Sequence, residues 1–117
     1  MNITSLEGLK LALRAFARER DWQQFHSPKN LAMALVGEAG EVVEHFQWLT
    51  EDQSRALPAD TRSEVALELA DVLIYLVELA DQLDVDLLAA AQHKIKINAC
   101  KYPAEQVRGK AEKYDKY

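Results

Sequence analysis

Apolar positions along this chain recur every three or four residues, and no segment shows the period-two alternation of β-branched residues that a half-buried strand requires. The first helix is expected from about Ser5 to Arg20, where Thr4-Ser5-Leu6-Glu7 forms a capping box ahead of Leu6, Leu9, Leu13 and Phe16. Ser27-Pro28 sets an N-cap residue before a proline at the first helical position, so a second helix should begin there and run through Leu31, Leu35, Val42 and Phe46 to about Leu49. Thr50 to Pro58 is polar and reads as a connection. A second capping box, Thr61-Arg62-Ser63-Glu64, opens a long third helix reaching about Leu83. Asp84 or Asp86 can cap a fourth helix, which must stop near Tyr102 because Pro103 disfavours helical geometry in the residue before it. The expected fold is all-α, an antiparallel four-helix bundle over residues 1–103 followed by a charged C-terminal tail, 104–117.

Two pairs of carboxylates interrupt the apolar pattern. From Val65 to Ala80 the only charges are Glu68, Asp71 and Glu78, so some of these acids must face packed surface. An isolated buried carboxylate costs several kcal/mol unless it is neutralised or paired. At about 100° per residue, Glu64, Glu68, Asp71 and Tyr75 fall within an arc of about 60°. Glu38, Glu41 and Glu44 advance by three, so neighbouring pairs share a face of the second helix. If the two helices pack together, their acids can share hard cations. Gly37, Ala39 and Gly40 beside them leave room for a close approach or a bulky ligand. The competing reading is a solvated acidic face. A di-iron centre would need Glu-x-x-His motifs, and none of His26, His45 and His93 has a Glu three residues earlier. All-oxygen ligation fits Mg²⁺ or Mn²⁺.

Composition narrows the partners. The 117 residues suit one domain, and 49% hydrophobic content with 4 Gly and 3 Pro suits a compact helical protein. A formal net charge of −5 disfavours a nucleic-acid polymer as ligand, while leaving room for a single nucleotide held through metal. The lone Cys100 fits a reducing compartment, Met1 to Lys10 carries no signal-peptide pattern, and no apolar run is long enough to span a bilayer. A cytoplasmic protein without membrane association is expected. The third helix is apolar around most of its circumference, which places it centrally or at a subunit interface and makes a homo-oligomer the expectation.

Four segments then carry a resemblance. Phe25-His26-Ser27-Pro28-Lys29-Asn30-Leu31, Leu35-Val36-Gly37-Glu38-Ala39-Gly40-Glu41 through Phe46-Gln47-Trp48, Glu68 through Leu76, and Asn98-Ala99-Cys100-Lys101-Tyr102-Pro103 resemble the MazG-like all-α nucleoside triphosphate pyrophosphohydrolases, and most nearly their dCTP pyrophosphatase branch. The resemblance implies cleavage between the α and β phosphates to a nucleoside monophosphate and pyrophosphate, as nucleotide-pool house-cleaning. It implies Glu38, Glu41, Glu68 and Asp71 as catalytic Mg²⁺ ligands, one of which, Glu41 or Glu38, takes the proton of the attacking water. It implies substrate contacts from Trp22, Trp48 and Tyr75 around the base, from Lys94, Asn98 and Tyr102 toward sugar and phosphate, and from His26, whose place before Ser27-Pro28 equally fits a helix-entry residue. Dimers or tetramers with pockets shared between subunits are also implied. Where vertebrate members of that branch carry a base-contacting His, this chain has Leu13, which belongs to the apolar stripe; a modified pyrimidine is therefore as open as dCTP. The alternatives are a helical oligomer that binds nucleotide or metal without turnover, and a structural interaction protein.

Overall fold

Four long helices, joined by short turns, make up most of a computed structural model that describes residues 2–111. In order these are α1 (Leu6–Glu19), a 3-10 turn (Gln23–Phe25), α2 (Pro28–Glu44), α3 (Glu51–Ser54), α4 (Ala59–Gln82), α5 (Leu87–Lys101) and α6 (Ala104–Val107). The described residues contain no strand, as the periodicity requires.

Local chemistry explains where each helix begins. The Ser5 side chain accepts from Gly8 N–H, so Ser5 and not Thr4 caps α1, while Glu7 pairs with Lys10 at 2.8 Å. Ser27 caps α2 by accepting from Asn30 N–H, with Pro28 at the first helical position. Asp86, not Asp84, caps α5 through Ala89 N–H; Asp84 takes a left-handed φ of 54°. Three expectations change. The second helix stops at Glu44, because the N–H groups of His45 and Phe46 turn back to Val42 and Val43, tightening the chain into turns. The stretch expected to be a plain connection holds α3, closed by a reciprocal capping box between Thr50 and Gln53. The third long helix opens at Pro58, ahead of Thr61; Ser63 Oγ instead donates to the Ala59 carbonyl inside the helix. The tail assigned to 104–117 begins with the short helix α6, and its residues 112–117 lie outside the described ones.

The described residues fall into two compact units that divide between Asp84 and Val85. In the first, α2 packs along α4 and α1 against α4. A forked Arg14 guanidinium, 2.6 and 2.8 Å from the two oxygens of Asp81, fastens α1 to α4. The fully buried set is small: Ala17, Leu31, Val65, Val77 and Ala80. Many large apolar side chains stay exposed, among them Val36, Val43, Leu67, Leu69 and Leu73 on α2 and α4. That is more uncovered apolar surface than a monomer ordinarily carries, with Leu67 70% exposed. No helix among the described residues is long and apolar enough to cross a membrane.

Candidate metal centre and nucleotide site

The pairing of α2 with α4 brings acids together that are far apart in sequence. One carboxylate oxygen from each of Glu38, Glu41 and Glu68 lies within 4.8 Å of the other two. Glu38 and Glu68 are half-buried, while Glu41 is exposed. Oε2 of Glu38 and Oε2 of Glu68 are buried with no hydrogen-bond partner. Desolvation, then the neighbouring Glu41 and Asp71 carboxylates, pushes the Glu38 carboxyl above its ordinary value. Glu68 is raised as well, first by its hydrogen-bonding proximity to Glu41, then by desolvation and the charges of Glu41, Glu38 and Asp71. Such strain is what a divalent cation would relieve: three carboxylates, two with unsatisfied oxygens, converge where no Lys or Arg among the described residues pairs with them. The donor set is all oxygen, the kind that suits a hard divalent cation.

Asp71 falls outside that three-residue group and is exposed, yet its charge reaches Glu38, Glu68 and Tyr75. Tyr75 is half-buried one turn further along α4. Its phenol is raised by desolvation first and then by Glu38, Glu78 and Asp71. At the far end, Asn30 Nδ2 donates to the Phe25 carbonyl, holding the turn before α2 so that His26 Nδ1 lies 3.3 Å from Glu78 Oε2. Trp22 is half exposed, with Phe16 packed edge-on at 5.8 Å and Arg20 stacked 3.6 Å above the Phe16 ring. Trp48 follows the opposite end of α2 and is 87% exposed. A Cβ at Gly37 or Gly40 would meet nothing within 4 Å, so no neighbour among the described residues requires either glycine.

Lys94 and Asn98 are exposed, one turn apart on α5, and Tyr102 ends that helix; all three belong to the second unit. Two residues near the acids escaped sequence reasoning. His45 Nε2 lies 4.0 Å from Glu68 Oε1, and the spacing of His45 four residues after Glu41 could have marked it. Glu78 is the other, signalled by its charge in an apolar run and its place three residues after Tyr75.

The MazG-like family profile matches residues 34–116, which take in the whole acidic group, all of α4 and the C-terminal part of α2. The chain belongs to the MazG-like family. This MazG-like chain is 47% identical over 112 residues to dCTP pyrophosphatase 1 of Homo sapiens, covering 94% of the chain and 66% of that relative. The Mus musculus protein of the same name is 48% identical over the same extent. The chain thus spans just under two thirds of the length of these relatives. A Mycobacterium phage L5 protein, the gene 37 product, is 35% identical over 65 residues, 56% of this chain and 57% of its own length. Among solved structures, a pyrophosphatase from Archaeoglobus fulgidus superposes with a TM-score of 0.80 at 36% identity, covering 88% of this chain and 96% of the other.

Proposed function

We propose that this MazG-like chain is a Mg²⁺-dependent nucleoside triphosphate pyrophosphohydrolase, acting on dCTP or a modified pyrimidine deoxynucleotide and releasing the monophosphate and pyrophosphate. The observation that carries the reading is the convergence of Glu38, Glu41 and Glu68 within 4.8 Å, two of them with orphaned buried oxygens. The relatives named dCTP pyrophosphatase 1 support the substrate class. Asp71, one turn beyond Glu68, joins the three as a ligand from α4.

Bound Mg²⁺, or Mn²⁺ in its place, supplies charge neutralisation and orientation for the triphosphate. The carboxylates do the rest. Glu41, the exposed member of the group, takes the proton as a water oxygen attacks the α phosphorus; the bond from that phosphorus to the bridging oxygen breaks, and pyrophosphate departs. On this reading Tyr75 and Trp22 are assigned to the base, and Lys94, Asn98 and Tyr102 to phosphate and sugar oxygens.

The site is shared between copies. Trp22 and Trp48 flank opposite ends of α2, whose 17 residues measure about 25 Å at about 1.5 Å each. One chain therefore does not close both indoles on one base, and the 87% exposure of Trp48 leaves it free to cover the pocket of a neighbour. The uncovered apolar faces of α2 and α4 are the surface through which a dimer or tetramer forms. A cytoplasmic setting and a pool-cleaning role accord with this chemistry.

The test is a panel of canonical and modified dNTPs and NTPs incubated with Mg²⁺, with pyrophosphate and orthophosphate quantified separately. Pyrophosphate release by the native chain that vanishes in Glu41→Gln is expected. Nucleotide binding without product would convert the reading to a non-catalytic binding oligomer.

A further inference from the structure

A carboxylate at the other end of the α4 face, Glu78, has His26 beside it but one oxygen without a hydrogen bond, and it has no part in holding the triphosphate. Glu78 lies seven residues beyond Asp71, about 10 Å along the axis and rotated by about 20°, so it continues the same face. That rise is comparable to the reach of an extended nucleotide from its α phosphate through the sugar to the outer edge of its base. The Tyr75 phenol lies within electrostatic reach of Glu38 and Asp71 on one side and Glu78 on the other.

The surroundings of Glu78 are those of a notch, not of a packed core. A cavity of about 40 Å³ has Lys10, Leu13, Arg14, Gln23, His26, Glu78 and Asp81 among its lining residues. It has room for an amino group or one or two waters, but not for a whole base. The Glu78 side chain is 16% exposed, and its Oε2 is buried without a hydrogen bond. His26 Nδ1 approaches to 3.3 Å but makes no hydrogen bond there, and the two strong cations of the lining are engaged elsewhere, Arg14 with Asp81 and Lys10 with Glu7. An ionised carboxylate only accepts, so the group that satisfies it must bring an N–H.

We infer that Glu78, steadied by His26, is a specificity residue that accepts a hydrogen bond from the exocyclic amino group of the substrate base and so selects an amino-bearing pyrimidine over its oxo counterpart. Uracil would set a carbonyl oxygen against the carboxylate, leaving two acceptors facing each other in a space too small for a bridging shell of water. Leu13 supplies an apolar wall and competes for no hydrogen bond. The inference rests on the nucleotide reading above, so its test separates the two.

Binding of the α,β-imido analogues of dCTP and dUTP, which resist cleavage at the scissile position, is measured by calorimetry with Mg²⁺ on the full chain, in native, Glu78→Gln and Glu78→Leu forms. Thermal unfolding checks each variant; because Glu78 is unsatisfied, neither substitution should lower the midpoint. The native chain should prefer the dCTP analogue about tenfold or more, and both variants should bring the ratio close to one. A native ratio near one, or a ratio that survives both substitutions, overturns the inference, and a water-filled His–Glu contact is then all the notch contains. A ratio that collapses in the variants while dCTP yields no pyrophosphate upholds the inference and sinks the catalytic reading. Pyrophosphate release with an unchanged ratio does the reverse, and failure of both analogues to bind overturns both.

Discussion

Mixing two crippled subunits tests whether Trp48 acts across a subunit boundary. Trp48→Ala removes an indole that is 87% exposed, so the fold should lose no more than about 0.5 kcal/mol. If that indole stacks on the base, about 1 to 3 kcal/mol of binding disappears, a rise in KM of about 5- to 150-fold. Glu41→Gln removes one of the three convergent carboxylates and should abolish turnover. A hybrid dimer of the two variants holds one site with both defects and one with neither, because the Glu41 of one subunit meets the Trp48 of the other. Random mixing in equal amounts makes about half of the dimers hybrid, so about a quarter of native activity should return. The assay is pyrophosphate release after the variants are unfolded together and refolded, against each refolded alone. Activity no higher than the mean of the two separate variants would refute the shared site and return Trp48 to the pocket of its own chain.

Three further outcomes are expected. In chelator, the native chain should lose thermal stability as pH rises from the ordinary carboxylate value near 4.5 through the raised values of Glu38 and Glu68, since the folded state holds their protons more tightly than the unfolded one; Mg²⁺ should reverse that trend, and Glu41→Gln should flatten it. Asp81 runs the other way. The Arg14 fork holds its carboxyl below the ordinary value, so its contribution is present at neutral pH and is lost as pH falls through that depressed value; Asp81→Asn should therefore lower the midpoint at pH 7 and show little difference in strong acid. Leu31→Ala, at a side chain only 1% exposed, should cost about 2 to 5 kcal/mol in denaturant unfolding; a loss below 1 kcal/mol would mean that α2 is not anchored there.

What could be read from the chain was whatever local spacing encodes. The four long helices were visible because their apolar residues recur along spans of 14 to 24 residues, whereas α3, a single turn of four residues, is too short to show a period at all. Thr50-Glu51-Asp52-Gln53 carried the capping signature, but it lay in a stretch whose polarity suggested a connection. Thr61 carried the same signature and did not cap, because Pro58 had already fixed the geometry that starts α4. The acids of α2 and α4 were legible for a different reason: carboxylates repeated at one turn inside apolar helices cost free energy unless something pairs with them. Which acids meet is a matter of helix register, and only the packed pair of helices separates Glu38, Glu41 and Glu68 from the more distant Asp71. Spacing puts His45 and Glu78 on the right faces of their elements, but their contacts, with Glu68 and with His26, cross between elements, and local spacing does not say which partners meet.

Two of the five buried apolar side chains, Ala17 and Ala80, are alanines, and Val65, Val77 and Leu31 complete the interior that the described residues bury. Ordering each residue costs about 1 to 2 kcal/mol of backbone entropy, which so slight an interior offsets poorly. On the reading that further copies cover the apolar faces of α2 and α4, folding and assembly become one equilibrium. Dilution then acts as a denaturant. A cell making too little of the chain would hold protease-sensitive monomers in place of a weaker enzyme, and activity would climb more steeply than dose until the assembled form saturates.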